Sequence, residues 1–244
     1  MSSRELALPD ALDLLEHSDL ANPRLVPAGS NYTFLIDVCR DGQVECRAIY
    51  KPASGEAPLW DFPDGTLHKR EYACYLLSSA LGWDFVPPSV VRDGPFGPGA
   101  VLLYIDHDPR NHYFTMREQF EAEVKRICLF DVITNQADRK ASHFLLGRLD
   151  ERVWGIDHGL AFHEQMKLRT VVWDFAQEPI PQDLLEQCEA LMLDLAAHRE
   201  PAAIVKDWIS PAEYQALQDR IEGVLEHPVF PYPLSRRSVP WPWL

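Results

Sequence analysis

The chain has 244 residues, 46% of them hydrophobic and 25% charged, with a formal net charge of −14. That length supports one large domain or two lobes with a sizeable core. The acidic balance excludes a sequence-independent grip on nucleic acid, which needs a basic face, and argues equally against stable membrane association.

Residues 9–18 (PDALDLLEHS) read as a short amphipathic helix. Three β-type segments follow at 23–27, 32–39 and 44–50. The second and third alternate, are rich in Val, Ile, Tyr and Phe, and are joined by a hairpin turn at Asp41-Gly42. The Pro-, Gly- and Asp-rich stretch 52–65 is a loop. Apolar spacing of three and four predicts a helix over 66–82, capped by Gly82. Strands at 88–92 and 100–105 flank the turn GPFGPG, and DHDPRNH at 106–112 is a polar connector. A long helix is expected over 115–134, then short strands near 143–147 and 152–156. Helices at 182–198 and 211–227 precede a Pro/Trp-rich tail. This order predicts an α+β fold of two lobes: a β-rich N-terminal lobe with connector over 1–107, and a helical lobe over 108–244. Ligands favour such lobe interfaces.

The N-terminus has neither a basic start nor an unbroken apolar run, so no signal peptide is expected. No stretch approaches the ~18 uncharged apolar residues of a membrane span. Cys39, Cys46, Cys74, Cys128 and Cys188 are widely spaced and form no C-x-x-C pair, which predicts reduced thiols in a cytoplasmic protein.

One polar stretch lies between two apolar ones. FDVITNQADRKASHFLL, residues 130–146, puts Asn135, Asp138, Arg139, Lys140 and His143 into one short loop. A strand, VWGI, then delivers Asp157 in I-D-H-G. Kinase-type phosphoryl transfer uses this pattern. A loop aspartate faces the acceptor hydroxyl, a metal ligand follows five residues later, and a D-x-G aspartate for Mg²⁺ comes after a short hairpin. The hairpin is needed to hold the last two across the metal. Upstream, Lys51 ends a strand in IYKP, within reach of the ATP α- and β-phosphates, and Glu71 on the next helix can pair with it. In PAGSNYTF (27–34), Gly29, Ser30 and Asn31 can offer backbone amides to phosphate. His143 has a second reading, as a hydrogen-bonded core histidine. Residues 160–178 take the activation-loop position. Their cations, Lys167 and Arg169, are too few for a polyphosphoinositide headgroup but enough for one phosphate or carboxylate. The tail, with Arg236, Arg237, Trp241 and Trp243, is expected to fold back onto the helical lobe.

On these residues the sequence resembles the phosphatidylinositol 3-/4-kinase-like superfamily, in particular its small bacterial members, commonest in actinobacteria. The resemblance rests on SNYTFL, IYKP, REYACYLL, VPPSVV, FDVITNQADRKASHFLL, GIDHGLAFH and the W-x-F after it, over residues 25–180. It implies a bilobed protein-kinase-like fold that transfers the γ-phosphoryl group of ATP with a divalent metal. By resemblance, Lys51 binds ATP phosphates, Asp138 is the catalytic-loop aspartate and Asp157 holds metal. Asn135 matches an asparagine that precedes the D-R pair in related sequences. The hinge that receives adenine falls at residues 104–107, bringing in Tyr104 and Ile105. Two positions depart from the pattern. D-R-K replaces D-R-H, so Lys140 can neutralise γ-phosphate charge. Together with the composition, this favours a soluble small molecule or a protein hydroxyl over a bilayer lipid as acceptor. His143 stands where an asparagine usually binds metal; neutral imidazole suits softer ions than Mg²⁺, which brings in Mn²⁺. The alternative function is an ATP-binding pseudokinase or scaffold that regulates a partner. A third keeps the ATP site and transfers AMP.

Overall fold

The structure is a computed structural model that describes residues 7–27 and 29–244. Helix α1 (Leu8–His17) buries Ala11, Leu14 and Leu15. Strands β1 (Asp19–Val26), β2 (Thr33–Arg40), β3 (Gln43–Pro52), β4 (Ser89–Gly94) and β5 (Gly97–Leu103) form one antiparallel sheet in the order β1-β2-β3-β5-β4. Alternate residues Ile36, Val38, Ala48 and Tyr50 pack with Leu14 and Leu15 into a small core. Strand periodicity therefore turns Lys51 to the other face of β3. Asp41 (φ 52°) and Gly42 (φ 75°) both take the left-handed conformation that a tight two-residue hairpin needs. β1 begins at Asp19, earlier than the sequence suggests. A register shift between Ala21 and Arg24, with Asn22 at φ 51°, lifts Pro23 out of the ladder that its missing N–H would break.

Helix α2 (Leu67–Ala80) stops where expected. The N–H groups of Gly82 and Trp83 bond back to Ser79 O (2.9 Å) and Ser78 O (3.0 Å), and Gly82 sits at φ 66°. At its start, Glu56 accepts from the backbone N–H of Leu67 (3.1 Å) and His68 (2.9 Å). A carboxylate there meets the positive end of the helix dipole. β5 ends at Leu103, short of the expected 105, and the chain leaves the sheet at Tyr104.

The long helix expected over 115–134 is two: α3 (Tyr113–Met116) and α4 (Glu121–Thr134). The break lets Tyr113 and Met116 enter the core. It also places Glu121 and Glu123 in the first turn of α4, where the dipole favours them. Arg117, inside the break, holds Asp174 at 2.9 Å. Next come the hairpin β6 (Phe144–Leu146) and β7 (Val153–Gly155), then α5 (Gln182–Ala196) and α6 (Pro211–Glu226). The larger core joins these helices to α2 and to Trp83, Phe85 and Val86. The helix that carries Glu71 thus packs on the helical lobe as well as on the sheet. Among the described residues no helix is long and apolar enough to cross a membrane. All five cysteines are free thiols; Cys74, Cys128 and Cys188 are buried, and Cys39 and Cys46 half-buried.

Candidate active site

The polar loop at 135–143 begins where α4 ends. Asn135 terminates the helix in the left-handed conformation (φ 56°), which asparagine tolerates better than most residues. Its amide is committed to the activation segment. It donates to His163 O (2.8 Å) and Gln165 O (2.7 Å) and accepts from Lys167 N–H (2.7 Å). Asn135, expected with Asp138 and Lys140 in the catalytic loop, thus also ties that loop to residues 163–167. Gln136, fully buried, donates to the carbonyl of Asp157 at 3.0 Å.

Asp138 stands next in a half-buried position, its carboxylate 2.8 Å from the Lys140 ammonium. Burial raises the Asp138 pKa and the charge of Asp157 adds to this, while Lys140 opposes both. Arg139 points the other way, into the core, with no exposed surface. It forks onto Asp131 of α4 with bonds of 2.8–3.1 Å, donates to Ile156 O at 2.6 Å, and meets His158 Nε2 at 2.8 Å. Arginine at this position ties the D-R-K loop to the helix before it and to the I-D-H-G loop after the hairpin. Since the guanidinium can only donate, His158 Nε2 accepts and the ring is neutral. Burial holds its pKa well below the ordinary histidine value, and Arg139 adds to this.

Three elements converge on Lys51. Its ammonium donates to Glu71 Oε1 on α2 and, at 2.8 Å, to Asp157 Oδ1, 106 residues further along. Burial alone would lower the Lys51 pKa; the two carboxylates outweigh it and drive the value up. Glu71 also accepts from His158 N–H at 3.0 Å, so α2 grips the I-D-H-G loop directly. Asp157 is held at φ 63°. For a non-glycine residue this is a strained conformation, of the kind kept where a side chain must be aimed. Burial raises its pKa, but Lys51, His143 and Lys140 together pull it well below the usual carboxylate range.

His143 Nε2 lies 3.2 Å from Asp157 Oδ2, and its Nδ1 accepts from Lys140 N–H at 3.3 Å. Burial brings its pKa down to about 4. In the neutral ring the proton then sits on Nε2 and is donated to Asp157. His143 therefore braces the D-x-G carboxylate here, and to ligate an ion it would have to exchange tautomers. Asp157 itself suits a hard cation, with both oxygens in the cleft and its side chain 46% exposed. Among the described residues no group of three or more His, Cys, Asp or Glu forms a metal cage. This fits Mg²⁺-like ions, which are held by one or two carboxylates plus substrate phosphates.

The residues expected around the nucleotide fall on two sides. Tyr104 and Ile105 line a cavity of about 1040 Å³ between the sheet and the β6–β7 hairpin, together with Leu35, Val86, Leu103 and Trp154. Arg47 lies over the Tyr104 ring at 4.8 Å. Lys51 and Asp157 are outside this cavity's lining. Ser30 is exposed beside Gly29 (φ 81°). The Asn31 side chain accepts from Ala57 N–H at 2.8 Å and braces the 52–65 loop, which leaves the backbone-amide role expected of it untouched. Lys167 is also spoken for: it lies 2.7 Å from Asp61 and 5.0 Å from the Trp60 ring centre.

Sequence reasoning missed the buried polar scaffold. Asp131, inside the apolar run CLFDVI, was the available signal, since a charge at a core position needs a partner. Arg70 is a second case. Fully buried, it donates to Ala161 O at 2.6 Å and pairs with Glu213 of α6, 143 residues away.

Residues 95–201 match the family model described as phosphatidylinositol 3- and 4-kinase. Protein Rv2133c of Mycobacterium tuberculosis is 36% identical over 267 aligned residues, covering 93% of this chain and 95% of the relative. Among solved structures, the Golgi casein kinase with Mn/ADP bound matches 90% of this chain and 75% of its own at a TM-score of 0.53 and 15% identity. The structure of hydra Fam20 with sugar gives 90%, 87%, 0.54 and 14%. The Helicobacter pylori proinflammatory kinase CtkA gives 88%, 94%, 0.51 and 9%. At such identities these likenesses speak for the fold, and the fold is protein-kinase-like. With its relative's near-complete overlap, the family match and the fold in agreement, the chain belongs to the phosphatidylinositol 3-/4-kinase-like group of the protein-kinase-like superfamily.

Proposed function

We propose that this protein is an ATP-dependent kinase that transfers the γ-phosphoryl group to a hydroxyl of a soluble small molecule or a protein. The observation that carries the reading is the Lys51 ammonium held between Glu71 and Asp157. It joins the sheet, α2 and the D-x-G loop at one point, as phosphate positioning requires.

ATP and its divalent ion, Mg²⁺ or Mn²⁺, supply the transferable group and neutralise charge on its oxygens. The chain's own residues position and polarise. Lys51, oriented by Glu71, presents its charge to the phosphates. Asp157, braced by His143 and by its strained backbone, would hold the ion. Asp138 orients the acceptor hydroxyl and takes its proton; its raised pKa makes it the stronger base. Lys140 offsets charge on the transferring group. Ser30, Tyr104 and Ile105 would contact the nucleotide from the strand turn and the hinge. Catalysis of this kind is mostly positioning and electrostatics.

The second reading, an ATP-binding pseudokinase or scaffold, draws on His143, whose Nε2 proton faces Asp157 where a metal ligand is expected. Calorimetric titration with ATP, in Mg²⁺ and then Mn²⁺, followed by ADP release, separates the two. A kinase binds ATP in a metal-dependent way, and Asp157→Ala loses turnover by roughly a thousandfold. Binding without turnover on any acceptor favours the pseudokinase. Turnover by Asp157→Ala at the wild-type rate would overturn the site assignment. AMP on the acceptor in place of released ADP would reassign the transferred group.

A further inference from the structure

The C-terminal tail docks on the catalytic loop. Ser238 O accepts from Thr170 N–H at 3.0 Å and from the Trp173 indole at 3.2 Å. Further on, the Trp243 carbonyl accepts from Ala141 N–H at 2.8 Å. Ala141 directly follows Lys140, and Thr170 is bridged to Arg139. The tail therefore lies along the activation segment and reaches the loop that carries Asp138.

This path brings three arginines to one side of the site. Arg169 is fixed through its backbone, donating to Gln136 O (2.9 Å) and accepting from Arg139 N–H (3.0 Å), next to Asp138. Arg236 and Arg237 lie in the tail turn whose last residue, Ser238, bonds to Thr170. All three are exposed, and among the described residues their guanidinium groups hold no carboxylate, carbonyl or ring. The other described arginines, Arg126 apart, each have such a partner. Lys167, the remaining cation of the activation segment, is neutralised by Asp61. In a chain of net charge −14, arginines without a side-chain partner whose backbones adjoin one loop favour an anion there.

We propose that the tail forms part of the acceptor site, and that Arg169, Arg236 and Arg237 select an acceptor bearing a phosphate or carboxylate group. The selection rests on the kinase reading for its catalytic meaning; the anion site itself does not. The test uses the full chain saturated with ADP and Mg²⁺, so that the nucleotide's own phosphate positions are filled. It is titrated calorimetrically with glycerol 3-phosphate, with glycerol as the uncharged control. Glycerol 3-phosphate binds and glycerol does not. The Arg236→Ala/Arg237→Ala double variant, which loses no internal contact, binds at least about tenfold more weakly, as losing a charge-assisted bond predicts. Its ADP affinity and its melting temperature stay at wild-type values. Equal binding by the double variant, or no binding of glycerol 3-phosphate by the wild type, overturns the proposal. If glycerol 3-phosphate binds but ADP does not, the kinase reading fails while the anion site stands. Vesicles containing phosphatidylinositol phosphate, run beside free inositol phosphate, identify the source. Given binding of glycerol 3-phosphate, tighter binding to the vesicles than to free inositol phosphate assigns the anion to a lipid headgroup, and equal binding assigns it to a soluble molecule; in both cases loss of binding in the double variant supports the site.

Discussion

The Arg139–Asp131 pair offers the sharpest test of how the D-R-K loop is held. Both side chains are buried, with 0% and 1% of their surface exposed, and they share three nitrogen–oxygen bonds of 2.8–3.1 Å. Asp131→Ala removes the countercharge and leaves a guanidinium in the core with Ile156 O, His158 and the Phe144 ring but no carboxylate. Breaking a buried pair from one side costs about 3–5 kcal/mol. For a chain of this size each kcal/mol lowers the melting temperature by about 2–4 °C, so the drop is about 6–20 °C. Asp131→Asn preserves the shape and separates charge from packing; it is expected to lose most of the same amount. Urea unfolding followed by tryptophan fluorescence reads the stability. ADP release reads the second consequence, a fall in turnover, because Asp138 adjoins the loosened arginine. Losses below about 1 kcal/mol in both variants would refute the claim that this pair anchors the loop.

Three further outcomes follow from the same geometry. Glu71→Gln removes one of the two carboxylates on Lys51; ATP affinity is expected to fall severalfold by calorimetry, and an unchanged affinity would remove Glu71 from the site. Gly99→Ala drives a Cβ to 2.5 Å from Lys51 O and 2.7 Å from Pro52 Cα, both backbone atoms. It is expected to cost about 1–3 kcal/mol in urea melts and to weaken nucleotide binding by shifting β3. Glu56 titrates below its ordinary 4.5; burial raises it, but the bonds from His68 and the α2 backbone prevail. A carboxylate depressed on folding adds stability above 4.5 that is lost as pH falls through its folded value. Glu56→Gln should therefore flatten the acid limb of the stability curve, and a limb of unchanged slope would show that the cap is not ionised.

What the sequence revealed is what local spacing encodes. The loop with Asp138 and His143, the short hairpin and the D-x-G aspartate all lie within a few dozen residues, and kinase geometry restricts their separations. Gly82, Asp41 and Gly42 announced their turns because left-handed backbone is costly for other residues. The break between α3 and α4 was hidden, since the apolar spacing continues across it. Arg117, at the break, bonds to Asp174, 57 residues on, a partner that local spacing cannot reveal. The position of Asn135 beside Asp138 invites a chemical role; its left-handed backbone at the end of α4 and its three amide bonds to residues 163–167 add a structural one that spacing did not announce. The pairs Arg70–Glu213 and Arg139–Asp131 were beyond reach for a related reason. A buried charge reveals that it needs a partner, but not which of the chain's many opposite charges has come to meet it.

The charges at the centre of the site explain why nucleotide binding should depend on the ion. Lys51 and Lys140 face Glu71, Asp138 and Asp157, two cations against three carboxylates, in a protein of net charge −14. A polyphosphate entering alone meets a negative centre inside a negative field. Lys51 is already shared between two of the carboxylates, so it cannot turn fully to the phosphates unless something else neutralises Asp157. Asp157 would hold a divalent cation, whose charge would offset the excess carboxylate and leave Lys51 freer to face the phosphates. Nucleotide affinity without the ion should therefore be weak, and neutralising Asp157 by mutation cannot restore it, because the same carboxylate must receive the ion that the phosphates need.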